Sequence, residues 1–158
     1  MKKQKGFSLI ELLIVVAIIL IIAAIAIPNL IRSKMAANES SAVASLRTIN
    51  TAEVTYIGNF PGAYATLASL GPGGSSCTAG QAATPAAACL IDNLLAAGNK
   101  SGYTFVATPN ATGPSYATTA TPTAANTGTK QYCSDDNLVI FYSLTSSGCA
   151  VGTNPIGQ

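Results

Sequence analysis

The chain has 158 residues, room for one domain plus a long additional segment, and a formal charge of only +2. Three of its eight basic residues, Lys2, Lys3 and Lys5, precede the first apolar run; beyond them five basic residues face six acidic ones, so no specific nucleic-acid partner is expected. Histidine is absent, which excludes Ser/His/Asp and Cys/His nucleophile systems, and no phosphate loop, dinucleotide fingerprint or zinc spacing occurs; the chain reads as neither an enzyme nor a cofactor carrier.

From Leu12 to Ile27 there is no polar side chain. The wider stretch Leu9 to Ile31 holds one acid, Glu11, and one proline, Pro28. As a helix it would be roughly 35 Å long, enough to span a bilayer core of about 30 Å. Leu, Ile and Val on all sides leave no polar face, so a surface helix is excluded. Positive charge ahead of the span argues that the leader stays cytoplasmic and the rest is exported. Glu11 is the odd residue, because an acid in such a segment costs about 2.5–3.5 kcal/mol at mid-membrane. Either it snorkels to the headgroups or it meets a cation. Cleavage between Gly6 and Phe7 would create one, an α-amine one helical turn from Glu11. A competing reading takes Ala24-Ile25-Ala26 as an ordinary signal peptidase site; the acid and the length of the apolar run oppose it.

The basic leader Met1 to Gly6, the Gly6-Phe7 junction, Glu11 five residues into the sequence that follows, the apolar run and Pro28 together resemble the type IV prepilin signature. Type II secretion pseudopilins share it. The resemblance covers residues 1–57. It implies a membrane prepilin peptidase cutting after Gly6, methylation of the Phe7 amine, and assembly on an inner-membrane platform into a homo-oligomeric helical filament. It also implies that Glu11 pairs with the N-terminal amine of an adjacent subunit and sets axial register, and that the helix kinks or loosens at Pro28. The precursor would sit in membrane lipid as a single-pass inner-membrane protein, and the assembled subunit would be extracellular. The implied function is that of a structural pilus subunit. The alternatives are a type II secretion pseudopilin and, from another class, a secreted or anchored binding domain.

Along the chain, residues 1–6 are the leader, 7–31 the membrane or filament-core helix, 32–57 its amphipathic continuation and 58–158 a globular domain. In the continuation, Ala42/Val43, Leu46, Ile49 and Tyr56 fall on one helical face, with Ser41, Ser45, Thr48 and Thr55 largely on the other. Gly58 is expected to end the helix as its C′ residue, with Asn59 and Pro61 beyond. Gly71-Pro72-Gly73-Gly74 is a turn cluster, and Ala86 to Ala97 suggests a short helix ending at Gly98-Asn99. Strands are expected at Tyr103–Ala107, Ser115–Ala120, Lys130–Cys133 and Leu138–Tyr142. The fold class is α+β: a long N-terminal helix whose amphipathic half packs on a small antiparallel meander.

Four cysteines in an exported chain suggest disulfides. Locality favours Cys77 with Cys89 and Cys133 with Cys149, although four cysteines allow three connectivities. The second pair is similar to the C-terminal disulfide loop of many type IV pilins. Asp135-Asp136-Asn137 offers oxygen ligands of the kind Ca²⁺ takes, but reads first as a solvated turn, so no metal is assigned. Asn110-Ala111-Thr112 fits an N-glycosylation sequon, and the Thr-rich stretch 118–129 has a composition suited to O-glycans.

Overall fold

In the computed structural model, residues 8–73, 77, 82–110, 114–144 and 148–156 are described. The chain divides into two units, Met1–Lys34 and Met35–Gln158. Helix α1, Leu9–Asn59, contributes to both.

In the first unit α1 is helical throughout its described part, including Pro28. Its large side chains are exposed on every side, from Leu9 at 79% down to Ile31 at 42%.

In the second unit α1 buries Ala42, Leu46, Ile49, Ala52 and Tyr56, the three-and-four spacing of an apolar stripe. Ser45 joins them, against expectation. It lies three residues after Ala42 and four before Ile49, inside the stripe, and is small enough to fit there. Thr48, Thr51 and Thr55 are exposed, and their hydroxyls donate back to the carbonyls of Ala44, Arg47 and Thr51. The helix passes Gly58 and ends at Asn59, so Gly58 is not the C′ residue. Tyr56 explains the two extra residues: its carbonyl accepts from the Phe60 N–H at 2.8 Å, and its ring meets the Phe60 ring at 5.0 Å. Pro61 then prevents continuation.

The short helices α2, Leu67–Leu70, and α3, Asn93–Ala96, follow, each with a side-chain N-cap, Thr66 and Asp92 respectively. The helix expected from Ala86 is therefore confined to its last turn. The preceding residues are claimed by the end of α2 instead: Ala88, Cys89 and Leu90 donate to Ser69, Gly71 and Leu70. Asp92 restarts the helix, and Gly98, at φ 78°, ends it as expected.

Five strands form an antiparallel meander in the order β1 Asn99–Lys100, β2 Tyr103–Pro109, β3 Tyr116–Pro122, β4 Gln131–Asp135 and β5 Ile140–Ser143. The unexpected β1 is created by Ser101-Gly102, both at positive φ, the two-residue turn whose twist suits a hairpin. β2 and β3 run on into Pro109 and Pro122; each proline sits in a terminal pair, opposite Tyr116 and Tyr103, where a missing N–H costs little. β5 starts two residues late because Leu138, at φ 64°, closes a turn by donating to the Asp135 carbonyl at 3.0 Å. Alternate residues Tyr103, Phe105 and Ala107 of β2 and Tyr116, Thr118 and Ala120 of β3 face inward. With Leu46, Ile49, Leu70, Leu95 and Tyr132 most of these make up the core. Thr118 is fully buried and donates to the Ser134 carbonyl, which removes it from the proposed O-glycan stretch.

Polar contacts fasten α1 to the sheet. Glu39 accepts from the Thr129 N–H at 2.9 Å, the Thr129 hydroxyl at 2.8 Å and the Tyr132 hydroxyl at 3.4 Å, with Lys130 Nζ at 3.7 Å. Asn50 donates to Ser134 Oγ at 2.7 Å and accepts from the Tyr116 hydroxyl at 3.1 Å. Burial raises Glu39, but the Thr129 donors and the Lys130 charge outweigh it, so its carboxyl lies below its ordinary value of 4.5. Its stabilisation is therefore present above 4.5 and is lost as pH falls through the lower folded-state value. Glu39→Gln is expected to cost about 1–3 kcal/mol at neutral pH, and the deficit should shrink towards zero in acid. Urea unfolding of both chains in detergent from neutral to acid pH checks this; a deficit that grows in acid would contradict it.

Both local cystine pairs form, Cys77–Cys89 and Cys133–Cys149, and no cysteine is free. The second closes a separation of 16 residues and ties β4 to the return after β5. Replacing Cys133 and Cys149 together by Ser should lower stability by about 3 kcal/mol, the loop-closure value for such a separation. The midpoint shift in denaturant, read by circular dichroism, measures it.

Candidate functional site

The site expected at the N-terminus begins with Gly6 and Phe7, which lie outside the described residues. The described part opens at Ser8. Its N–H donates to Glu11 Oε2 at 3.0 Å, and its carbonyl accepts from the Leu12 N–H at 3.3 Å. Ser8 thus stands as the residue before α1, and Glu11, three residues on, reaches back to it: one half of a capping box. The bond holds the carboxylate at the N-terminal end of α1, where the helix dipole favours an anion.

The pattern Ser-x-x-Glu ahead of an apolar run is the cap signal for this bond in the sequence. Glu11 therefore has a local partner before any second chain is considered. Pro28 lies in the same helix, 17 residues further on, about 25 Å along the axis. Between them the helix exposes Leu, Ile and Val and is, among the described residues, the one helix long and apolar enough to cross a membrane.

The cysteines belong to the second unit and pair as above. Asp135-Asp136-Asn137 forms a turn in which both Asp135 carboxylate oxygens accept from Asn137, its N–H at 3.1 Å and its side-chain amide at 3.0 Å. Among the described residues no group of three or more potential metal-ligating side chains converges. Asn110 of the sequon is described, bonded to Ser115; Ala111 and Thr112 lie outside the described residues. Two acids that sequence reasoning missed, Glu39 and Glu53, prove to be internal partners of the second unit. Both sit on the sheet-facing side of α1, and only the turn positions they meet, Thr129 and Ala65, distinguish them from ordinary helix-surface acids.

Residues 1–27 match the family described as "Prokaryotic N-terminal methylation motif". The chain is 48% identical over 54 residues to the "Type IV major pilin protein PilA" of Myxococcus xanthus, a match covering 34% of this chain and 24% of the relative. It is 54% identical over 46 residues to the "Type IV wide pilus major component PilA4" of Thermus thermophilus, covering 29% of this chain and 35% of that protein. The chain thus spans roughly a quarter to a third of the length of these relatives. No solved structure matches. The start of α1, as far as Ile27, accordingly lies within the segment that matches the N-terminal methylation motif of prokaryotic prepilins, and the relatives this chain resembles are type IV major pilins.

Proposed function

We propose that this chain is the structural subunit of a type IV pilus, made as a membrane-inserted precursor and assembled through its N-terminal helix. One observation carries the reading: an apolar helix exposed on all sides and headed by Glu11, within a segment that matches the prepilin methylation motif. Such a helix needs a non-aqueous surrounding, lipid first and the helices of other subunits afterwards.

Prepilin peptidase cuts between Gly6 and Phe7, the new amine of Phe7 is methylated, and the inner-membrane platform adds the subunit to the filament. Cleavage creates an amine on the residue before Ser8, whereas the Glu11 carboxylate has only the neutral Ser8 N–H as its local partner. A carboxylate in an apolar layer gains from a cation far more than from one neutral N–H. Glu11 therefore pairs with the amine of a neighbouring subunit and sets the axial register. Pro28, which removes one backbone bond, is where the helix kinks or loosens on assembly. The leader stays cytoplasmic, and the assembled subunit is extracellular.

Mass spectrometry of subunits sheared from cells is expected to find an N-terminus at Phe7 carrying one added methyl group. A chain beginning at Ile27 would instead indicate ordinary signal peptidase and defeat the pilus reading. Glu11→Ala should still enter the membrane, because insertion is easier without the acid. Its fibre yield should fall by about tenfold or more, since each 1.4 kcal/mol lost at a subunit contact is tenfold in association. Quantitative blotting of membrane and sheared fractions measures both; unchanged fibre yield would remove the register role.

A further inference from the structure

Glu53 is fully buried on α1, at 0% exposure. Its Oε2 accepts from the Ala65 N–H at 2.9 Å, which pins the connection between α1 and α2 against the helix. Among the described residues Oε1 has no partner. Asn50, one turn earlier, is already committed to Ser134 and Tyr116. Tyr116 of β3 is the titratable group that faces Glu53 from the sheet. Around Tyr116 stand Tyr64 of the connection, its ring 4.6 Å away, and Asp135 and Asp136 at the end of β4. All of these are acids or phenols, and among the described residues no cation offsets the burial of Glu53.

An ionised carboxylate with one neutral donor, one orphaned oxygen and no cation is costly to bury, and such a group takes up a proton instead. We infer that Glu53 is held as a neutral carboxylic acid in the folded second unit, and that once ionised it leaves its buried site for water and gives up the Ala65 bond with it, making residues 60–66 a pH-sensitive latch at the end of α1. The inference stands apart from the pilus reading, because it concerns only the second unit.

Burial drives the Glu53 carboxyl from its ordinary 4.5 up to about 7, against the lowering effect of the Ala65 N–H. The folded state therefore binds the proton more tightly than the unfolded chain. The stabilisation is complete below 4.5 and is lost as pH rises through about 7. Glu39 behaves in the opposite sense and loses its contribution in acid.

The test uses the full chain in detergent micelles. Glutamate labelled with ¹³C at the carboxyl reports three residues, Glu11, Glu39 and Glu53, and Glu53→Gln assigns the signal. Glu53 is expected to titrate near 7 in the wild-type chain; a midpoint near 4.5 overturns the proposal. In denaturant the wild-type folding constant should fall by roughly 10²-fold between about pH 5 and pH 8, with Glu53→Gln largely flat. Parallel profiles for the two chains overturn it. The protection factor of the Ala65 amide should drop with the same midpoint, and pH-independent protection overturns the latch. Should Glu53→Gln fail to fold, the titration and the Ala65 protection of the wild-type chain decide the matter.

Discussion

Apolar surface must be removed from water, and this chain does so for only part of α1. From Ala42 onward the helix has an apolar stripe and a sheet to receive it. Between Leu9 and Ile31 it has apolar side chains all round, and they remain exposed. Burying one Leu or Ile side chain is worth about 1.5–3 kcal/mol, so a run of this length is untenable in water alone. A non-aqueous surrounding for that segment is the condition that the pilus reading supplies. The single acid and the proline acquire meaning only within that condition.

The second unit faces a different constraint. Only 9% of the residues are charged, so ion pairs contribute little. Hydrogen bonds from neutral side chains carry the attachment of α1 instead: Asn38 to the Thr127 carbonyl, Asn50 to Ser134, Tyr56 to the Pro85 carbonyl. Tyr103 donates to the Lys130 carbonyl, and the close packing of its ring on Gly128 leaves no room for a side chain there. The Cys77–Cys89 cystine closes a stretch with no large apolar side chain, and Cys133–Cys149 ties β4 to the return after β5.

Glu39 and Glu53 show how little residue type alone says about a carboxylate. They lie 14 residues apart on the same helix, close to four turns, and both face the sheet domain. Glu39 meets three donors and a nearby cation, and its anionic form is favoured. Among the described residues Glu53 meets one donor and no cation, and its neutral form is favoured. Donor count and solvation decide the sign in each case.

Local pattern by itself determined the apolar span, the place of Glu11 within it, the stripe at Ala42, Leu46, Ile49 and Tyr56 and the four longer strands; it favoured the pairing of nearest cysteines without excluding the other connectivities. These follow from periodicity, β-branched content and short loops, all of which act within a few residues. Even the capping signal Ser8-x-x-Glu11 is local. Only the tertiary structure decided that residues 86–91 are not helical and that Ser45 and Thr118 are buried. It alone separated Glu39 from Glu53. Each of these outcomes depends on a partner or covering surface contributed by another element, such as Thr129, 90 residues from Glu39, or the end of α2 beside Ala88. A backbone or carboxylate group takes whichever partner the fold brings within reach, and that choice has no signature in the residues beside it.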